Sequence, residues 1–370
     1  MTDEYDAVIT WVEAPAEPKL GPLQGRRLLV KDLIDTAGVR TTYGSRIYRD
    51  HVPDRTASCV QRLVDAGAVL TGKANLPEFA WAVLGQNPVF GTVRNPIAPG
   101  KTTGGSSAGN AAALAGGLCD LGLGTDTGCS IRLPSACCGT VGLKTRWGAV
   151  ATDGVFPLCP TLDTVGPMGT SVADVALMWS VLTGKPAPEP RLRGLRVGLL
   201  RQPPGVGDGR ETETSDEAEA WVDDLQRLGA TVVETRVREP SGNTWPLFNR
   251  EALASHRATF PSRADEYSDL CRTKLELALR TTDEEAAEAY VAIDMWRRWE
   301  PDDVDLYVSP CYGIELPDED ADELEVRLPL SSFLRWVNLI GWAGLAIGNM
   351  QLVAPYDETV LAAGLAWERR

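Results

Sequence analysis

Two serines 24 residues apart, Ser106 and Ser130, each follow glycines in a flexible turn: Gly104-Gly105-Ser106-Ser107 and Gly124-Thr125-Asp126-Thr127-Gly128-Cys129-Ser130. Both lie within residues 98–150, which hold 12 of the chain's 36 glycines, together with Cys119, Cys129, Cys137 and Cys138. Glycine costs backbone entropy that a special conformation or a close backbone approach must justify, so this stretch is expected to hold something against bare backbone. A serine attacks a carbonyl well only when a base takes its proton. The two histidines, His51 and His256, are candidates in principle, but His51 stands in the polar run Arg49-Asp50-His51-Val52-Pro53-Asp54 and His256 in an expected helix near Arg250 and Arg257. Such histidines are ordinarily solvated or structural. Lysine is scarce, seven against 29 arginines, and one of the seven, Lys31, sits inside Leu28-Leu29-Val30-Lys31-Asp32-Leu33-Ile34. That alternation predicts a mostly buried strand, where a desolvated lysine loses its preference for charge and can act as a neutral base. On this segment alone, a lysine paired with Asp32 or snorkelling at the strand end stays open as the other reading.

The elements that must position these residues follow from the pattern around them. Residues 108–117 are small and predict a helix behind the first serine turn, and residues 119–123 predict a buried strand leading into the second. Residues 56–66 read as an amphipathic helix, 68–71 as a strand, and 76–84 as a helix, with 85–88 a loop towards Arg94-Asn95-Pro96. Ser171 is the expected N-cap of a helix ending near Leu182, and the proline-rich residues 184–190 form a stiff linker. Residues 195–200 and 231–234 predict strands flanking a helix at 215–228. The glycines of 205–209 lack a P-loop lysine, so they read as a surface loop. Residues 245–300 predict charged helices covering a sheet, 305–309 and 350–355 strands, 358–369 a helix, and the acidic run 318–325 a solvated loop.

With 370 residues and 44% hydrophobic content, the chain can bury a large core. A net charge of −15 argues against nucleic acid or an anionic membrane as partner. No signal peptide or long apolar run is read, and eight cysteines without paired CxxC spacing fit a reducing cytoplasm and no metal site. The vicinal Cys137 and Cys138 read as small core residues.

Taken together, Val30-Lys31-Asp32, Gly104-Gly105-Ser106-Ser107 and Gly124-Thr125-Asp126-Thr127-Gly128-Cys129-Ser130-Ile131-Arg132-Leu133-Pro134 resemble the amidase signature family, with Asp163-Thr164-Val165-Gly166-Pro167-Met168 continuing the match. The resemblance is densest over residues 28–165. The fold it implies is one α/β/α domain with a mixed central sheet over 1–370, in which 28–165 is the signature core and 245–300 a variable helical cover shaping the acyl side of the pocket. It further implies a Ser-Ser-Lys triad: Ser130 as nucleophile, Ser106 as the bridging serine after a cis peptide, and Lys31 as base. Thr127, Gly128 and Cys129, with the Ser130 N–H, would form the oxyanion hole, and Asp126 and Arg132 a supporting buried pair. Lys73, in Gly72-Lys73-Ala74-Asn75, falls at a structural loop position and stays outside the triad.

The implied reaction is hydrolysis of a small-molecule amide through an acyl-enzyme, without cofactor. The alternatives are acyl or amido transfer with partner subunits and an inactive binding protein, and a homodimer is left open. The short stretch before Lys31 resembles the compact amidases, such as plant indole-acetamide hydrolases. Eleven tryptophans allow an aromatic substrate.

Two positions depart from the family pattern: Ala108 and Cys129 stand where glycine is usual. A positive φ at Cys129 would strain the loop, and its thiol is a conceivable rival nucleophile. Residues 339–350 are shorter than the usual connection, which predicts an opened site or a lost hairpin.

Overall fold

The computed structural model describes residues 3–13, 17–204, 216–237, 240–300 and 303–370. Its strands are β1 (Val8–Trp11), β2 (Arg27–Lys31), β3 (Val69–Ala74), β4 (Leu121–Asp126), β5 (Val141–Lys144), β6 (Thr164–Gly169), β7 (Arg196–Leu200), β8 (Thr231–Thr235), β9 (Leu306–Pro310), β10 (Ala343–Ile347) and β11 (Met350–Ala354). They form one sheet in the order β1-β3-β2-β4-β6-β5-β10-β11-β9-β7-β8. β2 is parallel to both β3 and β4, and β7 to both β8 and β9, while β4–β6, β5–β6 and the pairs through β10 and β11 are antiparallel. The sheet is therefore mixed, and parallel pairs need helical crossovers.

Those crossovers include α1 (Ser58–Asp65), α2 (Ala108–Ala115), α3 (Arg132–Cys137), α4 (Val172–Thr183) and α5 (Asp216–Arg227). Ser171 caps α4 by accepting from the Asp174 N–H at 3.0 Å, and α4 buries Val172, Val175, Met178, Trp179 and Leu182 under the sheet. The central strands β2, β4 and β6 are almost wholly buried, because α2 covers one face and α1 with α4 the other. Small residues let α2 lie close: a Cβ on Gly109 would come within 2.3 Å of the Ala7 carbonyl oxygen. Ala108, where the family pattern has glycine, fits as the first residue of this helix, fully buried.

The cover consists of α6 (Trp245–Ser255), α7 (Asp269–Ala278), α8 (Asp283–Arg297), α9 (Glu323–Ser331) and α10 (Arg335–Ile340), before α11 (Asp357–Glu368) closes the chain against β10 and β11.

Four sequence expectations are corrected. Residues 76–84 form one 3-10 turn at Glu78–Ala80, with Phe79 and Ala80 at φ 52° and 59°, and no helix. Phe79 meets Tyr48, Phe156, His256 and Tyr267, and this aromatic packing overrides helix propensity. Lys73 lies in β3 and not in a loop, because its strand is zipped between β1 and β2; its ammonium pairs with Asp32 at 3.3 Å. The acidic run is not simply solvated, since Glu323 is buried and paired with Lys274 at 3.0 Å while Asp318 meets Lys101. The short connection keeps its hairpin: β10 and β11 pair from Ala343–Ala354 to Ile347–Met350 across a two-residue turn at Gly348 and Asn349. Residues 205–209 lie outside the described residues. Cys137 and Cys138 are buried free thiols, as core packing requires. No described helix is long and apolar enough to cross a membrane.

Candidate active site

Lys31 ends β2 inside the sheet with no exposed surface. Its Nζ lies 2.8 Å from Ser106 Oγ, 2.8 Å from Thr125 Oγ1 and 3.4 Å from the Thr125 carbonyl oxygen. Burial is the dominant influence on this amine and pushes its pKa down to about 7, against the opposing pull of Asp126. Thr125 is a neighbour that sequence reasoning missed, although its place in the Gly124-Thr125-Asp126 motif on the adjacent strand β4 was the available signal.

The Gly105–Ser106 peptide is cis, as the resemblance implies. Gly105 has no room for a side chain, because a Cβ there would come within 2.6 Å of the Leu84 carbonyl oxygen. The segment at 82–84 is thereby pressed against the first serine turn. The Ser107 N–H donates to the Ser130 carbonyl oxygen at 3.0 Å, which ties the two serine turns together.

Asp126 sets the second turn. Its Oδ2 accepts from the N–H groups of Ile131 and Arg132, and both carboxylate oxygens accept from the Arg132 guanidinium at 3.0 and 3.1 Å. Burial alone would raise this carboxyl, but Arg132 holds it down at about 2. Arg132 also donates to the Leu334 carbonyl, to Gln351 Oε1 and to Asn338 Oδ1, and Asn338 in turn donates to Asp126. The expected pair is thus the centre of a larger buried network. Asn338 and Gln351 were invisible to sequence reading because they lie 206 and 219 positions from Arg132.

Replacing Asp126 with asparagine should cost about 3–5 kcal/mol, since it strands a buried guanidinium. Urea unfolding of the native and Asp126→Asn chains checks this, and a shift below about 1 kcal/mol would mean the network does not hold the loop. Because the carboxyl's pKa is lowered on folding, the stability it contributes is present above about 4 and is lost as pH falls through about 2.

Thr127, Gly128, Cys129 and Ser130 line one cavity of about 80 Å³. Among the described residues, none of their backbone N–H groups is spent on another acceptor. Thr127 Oγ1 donates to Asp163 at 2.6 Å, which braces the loop from the β6 side. Cys129 does not adopt positive φ, so the condition under which it would strain the loop is not met. Its thiol contacts the Gly105 carbonyl at 3.8 Å, and burial, with Asp126 nearby, pushes its pKa up to about 12. A thiol held this strongly protonated is a poor nucleophile.

The cover contributes Trp245, Phe248, Lys274, Arg327 and Arg335 to the same cavity, and Trp81 and Leu158 complete much of the wall. Gln86, Asn87 and Pro88 instead border a second cavity of about 710 Å³ that also touches Trp81, and Asn95 is spent on the Thr102 and Cys137 carbonyls. Neither histidine lines the cavity at Ser130. His256 is buried against Tyr267 and Phe79 and burial holds its pKa down near 4, while His51 lies against Tyr43.

The Amidase family profile matches residues 9–292. The chain is 42% identical over 234 residues to a glutamyl-tRNA(Gln) amidotransferase subunit of Symbiobacterium thermophilum, covering 59% of this chain and 48% of that one. The corresponding subunit of Synechococcus sp. (strain RCC307) is 34% identical over 306 residues, 78% of this chain and 60% of its own length. The chain therefore spans about half to three fifths of the length of these curated relatives. Among solved structures, an amidase superposes with a TM-score of 0.82 at 28% identity, covering 94% of this chain and 85% of that one. Peptide amidase from Stenotrophomonas maltophilia does so with a TM-score of 0.78 at 28% identity, covering 95% and 83%. From its motifs, its sheet and these likenesses, the chain belongs to the amidase signature family.

Proposed function

We propose that this protein is an amide hydrolase in which Ser130 is the nucleophile, Ser106 the proton relay and Lys31 the base. The observation that carries the reading is the wholly buried Lys31 amine 2.8 Å from Ser106 Oγ, with its pKa near 7. An amine poised there is neutral in part at neutral pH and can take a proton. Ser130 gives its proton to Ser106 as Ser106 gives its own to Lys31, and Ser130 Oγ bonds to the amide carbon. The N–H groups of Thr127, Gly128, Cys129 and Ser130 donate to the oxyanion that develops. The relay then runs backwards, the leaving nitrogen receives the proton, and the carbon–nitrogen bond breaks to leave an ester on Ser130. Water, deprotonated by the same relay, attacks the ester and releases the carboxylic acid. Asp126 and Arg132 hold the loop without touching the reacting atoms.

Transfer is the second reading, favoured by the likeness to amidotransferase subunits. In that case an amine takes the place of water as the acceptor of the acyl group, or the ammonia released on acylation passes to a partner protein. Incubating the purified chain with a panel of primary amides, with and without hydroxylamine, tests both. Ammonia release by the chain alone, with hydroxamate formed when hydroxylamine is present, is the expected result for a free-standing amidase with an acyl-enzyme. Ammonia release that appears only when partner subunits are added would replace hydrolysis with transfer.

A further inference from the structure

Four charged side chains line the cavity that Ser130 borders: Lys274, Glu323, Arg327 and Arg335. Lys274 and Glu323 neutralise each other at 3.0 Å, and Lys274 also donates to the Trp81 carbonyl. The two arginines have no carboxylate partner among the described residues. Both instead lie over the indole of Trp245, Arg335 at 3.9 Å and Arg327 at 5.0 Å from its centroid. Arg335 spends one guanidinium nitrogen on Thr244 Oγ1 at 2.8 Å. The two cations thus share one aromatic plate, which orients them but does not neutralise them. Burial, with the charge of Arg327 adding to it, lowers the Arg335 pKa to about 10. Partly buried guanidiniums without a counter-ion are costly, and an arriving anion removes that cost while gaining charge-assisted hydrogen bonds. The Lys274–Glu323 pair is already satisfied internally and offers an incoming anion no free cation. The anion is thereby directed to the arginine side.

Resting on the hydrolase reading above, we infer that the substrate carries a carboxylate besides the amide that is cleaved, and that Arg335 and Arg327 receive it. The substrate class is then the monoamide of a dicarboxylic acid, with the scissile amide at Ser130 and the free acid at the arginine pair. The cleavage gives the dicarboxylate and ammonia, and water supplies the oxygen.

The test compares matched amides. Succinamate, glutaramate and adipamate each have a counterpart in which a neutral nitro group replaces the carboxylate with the same shape. For the spacer that fits, kcat/KM for the acid is expected to exceed that for the nitro compound by on the order of 10- to 100-fold. Arg335→Gln should bring that ratio down at least about tenfold through loss of the charge-assisted bonds, with Arg335→Lys restoring part of it. Fluorophosphonate labelling reports whether each variant has a folded centre. If Arg335→Gln does not label, Arg327→Gln, at a position less bound into the core, carries the comparison. A native chain that labels and hydrolyses neutral amides at least as well as their acids overturns this inference and leaves the hydrolase reading standing. A native chain that neither labels nor hydrolyses any amide overturns the hydrolase reading and this inference with it.

Discussion

Ser130→Ala is expected to lose the fluorophosphonate adduct entirely and to lower kcat/KM for any amide substrate by at least about 10⁴-fold, because no acyl-enzyme can form without its oxygen. Intact-mass spectrometry of the native and variant chains reads the first effect, and ammonia release reads the second. The expectation rests on position. Ser130 follows the loop braced by Asp126, lines the cavity beside four N–H groups that no acceptor among the described residues takes up, and is tied through its carbonyl to the turn that carries Ser106. The residual rate should be that of a pocket that still binds and polarises an amide but cannot attack it. Retention of the adduct in Ser130→Ala would move the nucleophile to another side chain. Its mass-mapped position would then decide between Ser106 and Cys129. Cys129 is the weaker of these, because its thiol is held protonated by burial.

The second large effect concerns Lys31. Activity of the native chain should rise with pH, with slope one, and level off above about 7, where the Lys31 amine is neutral. Below that pH the ammonium keeps its proton and cannot accept another from Ser106. The direction follows from burial: the folded protein disfavours the charged form, so the neutral base becomes available well below the ordinary lysine range. Lys31→Met, which fills the same buried space without a charge, should fold and lose about 10²- to 10⁴-fold in kcat/KM. Lys144 is a control for the assignment, since burial holds its pKa near 7 as well, yet its amine donates to the Thr145 and Trp342 carbonyls and not to either serine. Lys144→Met should keep the acid limb, and His256→Phe should keep it too, because that histidine is neutral above about 4. A flat acid limb in the native chain, or a Lys31→Met chain of near-normal activity, would remove Lys31 from the mechanism.

Local pattern predicted most of the secondary structure because most of it is local. The apolar alternation around Lys31, the small residues after Ser107, the cap at Ser171 and the strand–helix–strand of 195–234 each carry their own signal within a short stretch of chain. Residues 76–84 carry an equally good helical pattern and do not form a helix, because Phe79 gains more from an aromatic cluster drawn from distant segments. Lys73 and Lys31 show the same limit. Both are buried lysines on adjacent strands, and only the sheet order decides their neighbours, Asp32 for Lys73 and the hydroxyls of Ser106 and Thr125 for Lys31.

By itself, then, the sequence determined which residue types were present for acyl chemistry, the family motif that orders them, and the glycine-rich turns that let backbone approach backbone. These are properties of short stretches, fixed by side-chain size and backbone freedom. The tertiary structure alone decided the rest. It set the amine 2.8 Å from Ser106, joined Arg132 to Asn338 and Gln351, and brought Arg327 and Arg335 to the cavity that Ser130 lines. The first two of these join segments separated by 75 to 219 positions, and their energies come from burial and charge that exist only once the sheet has closed around them.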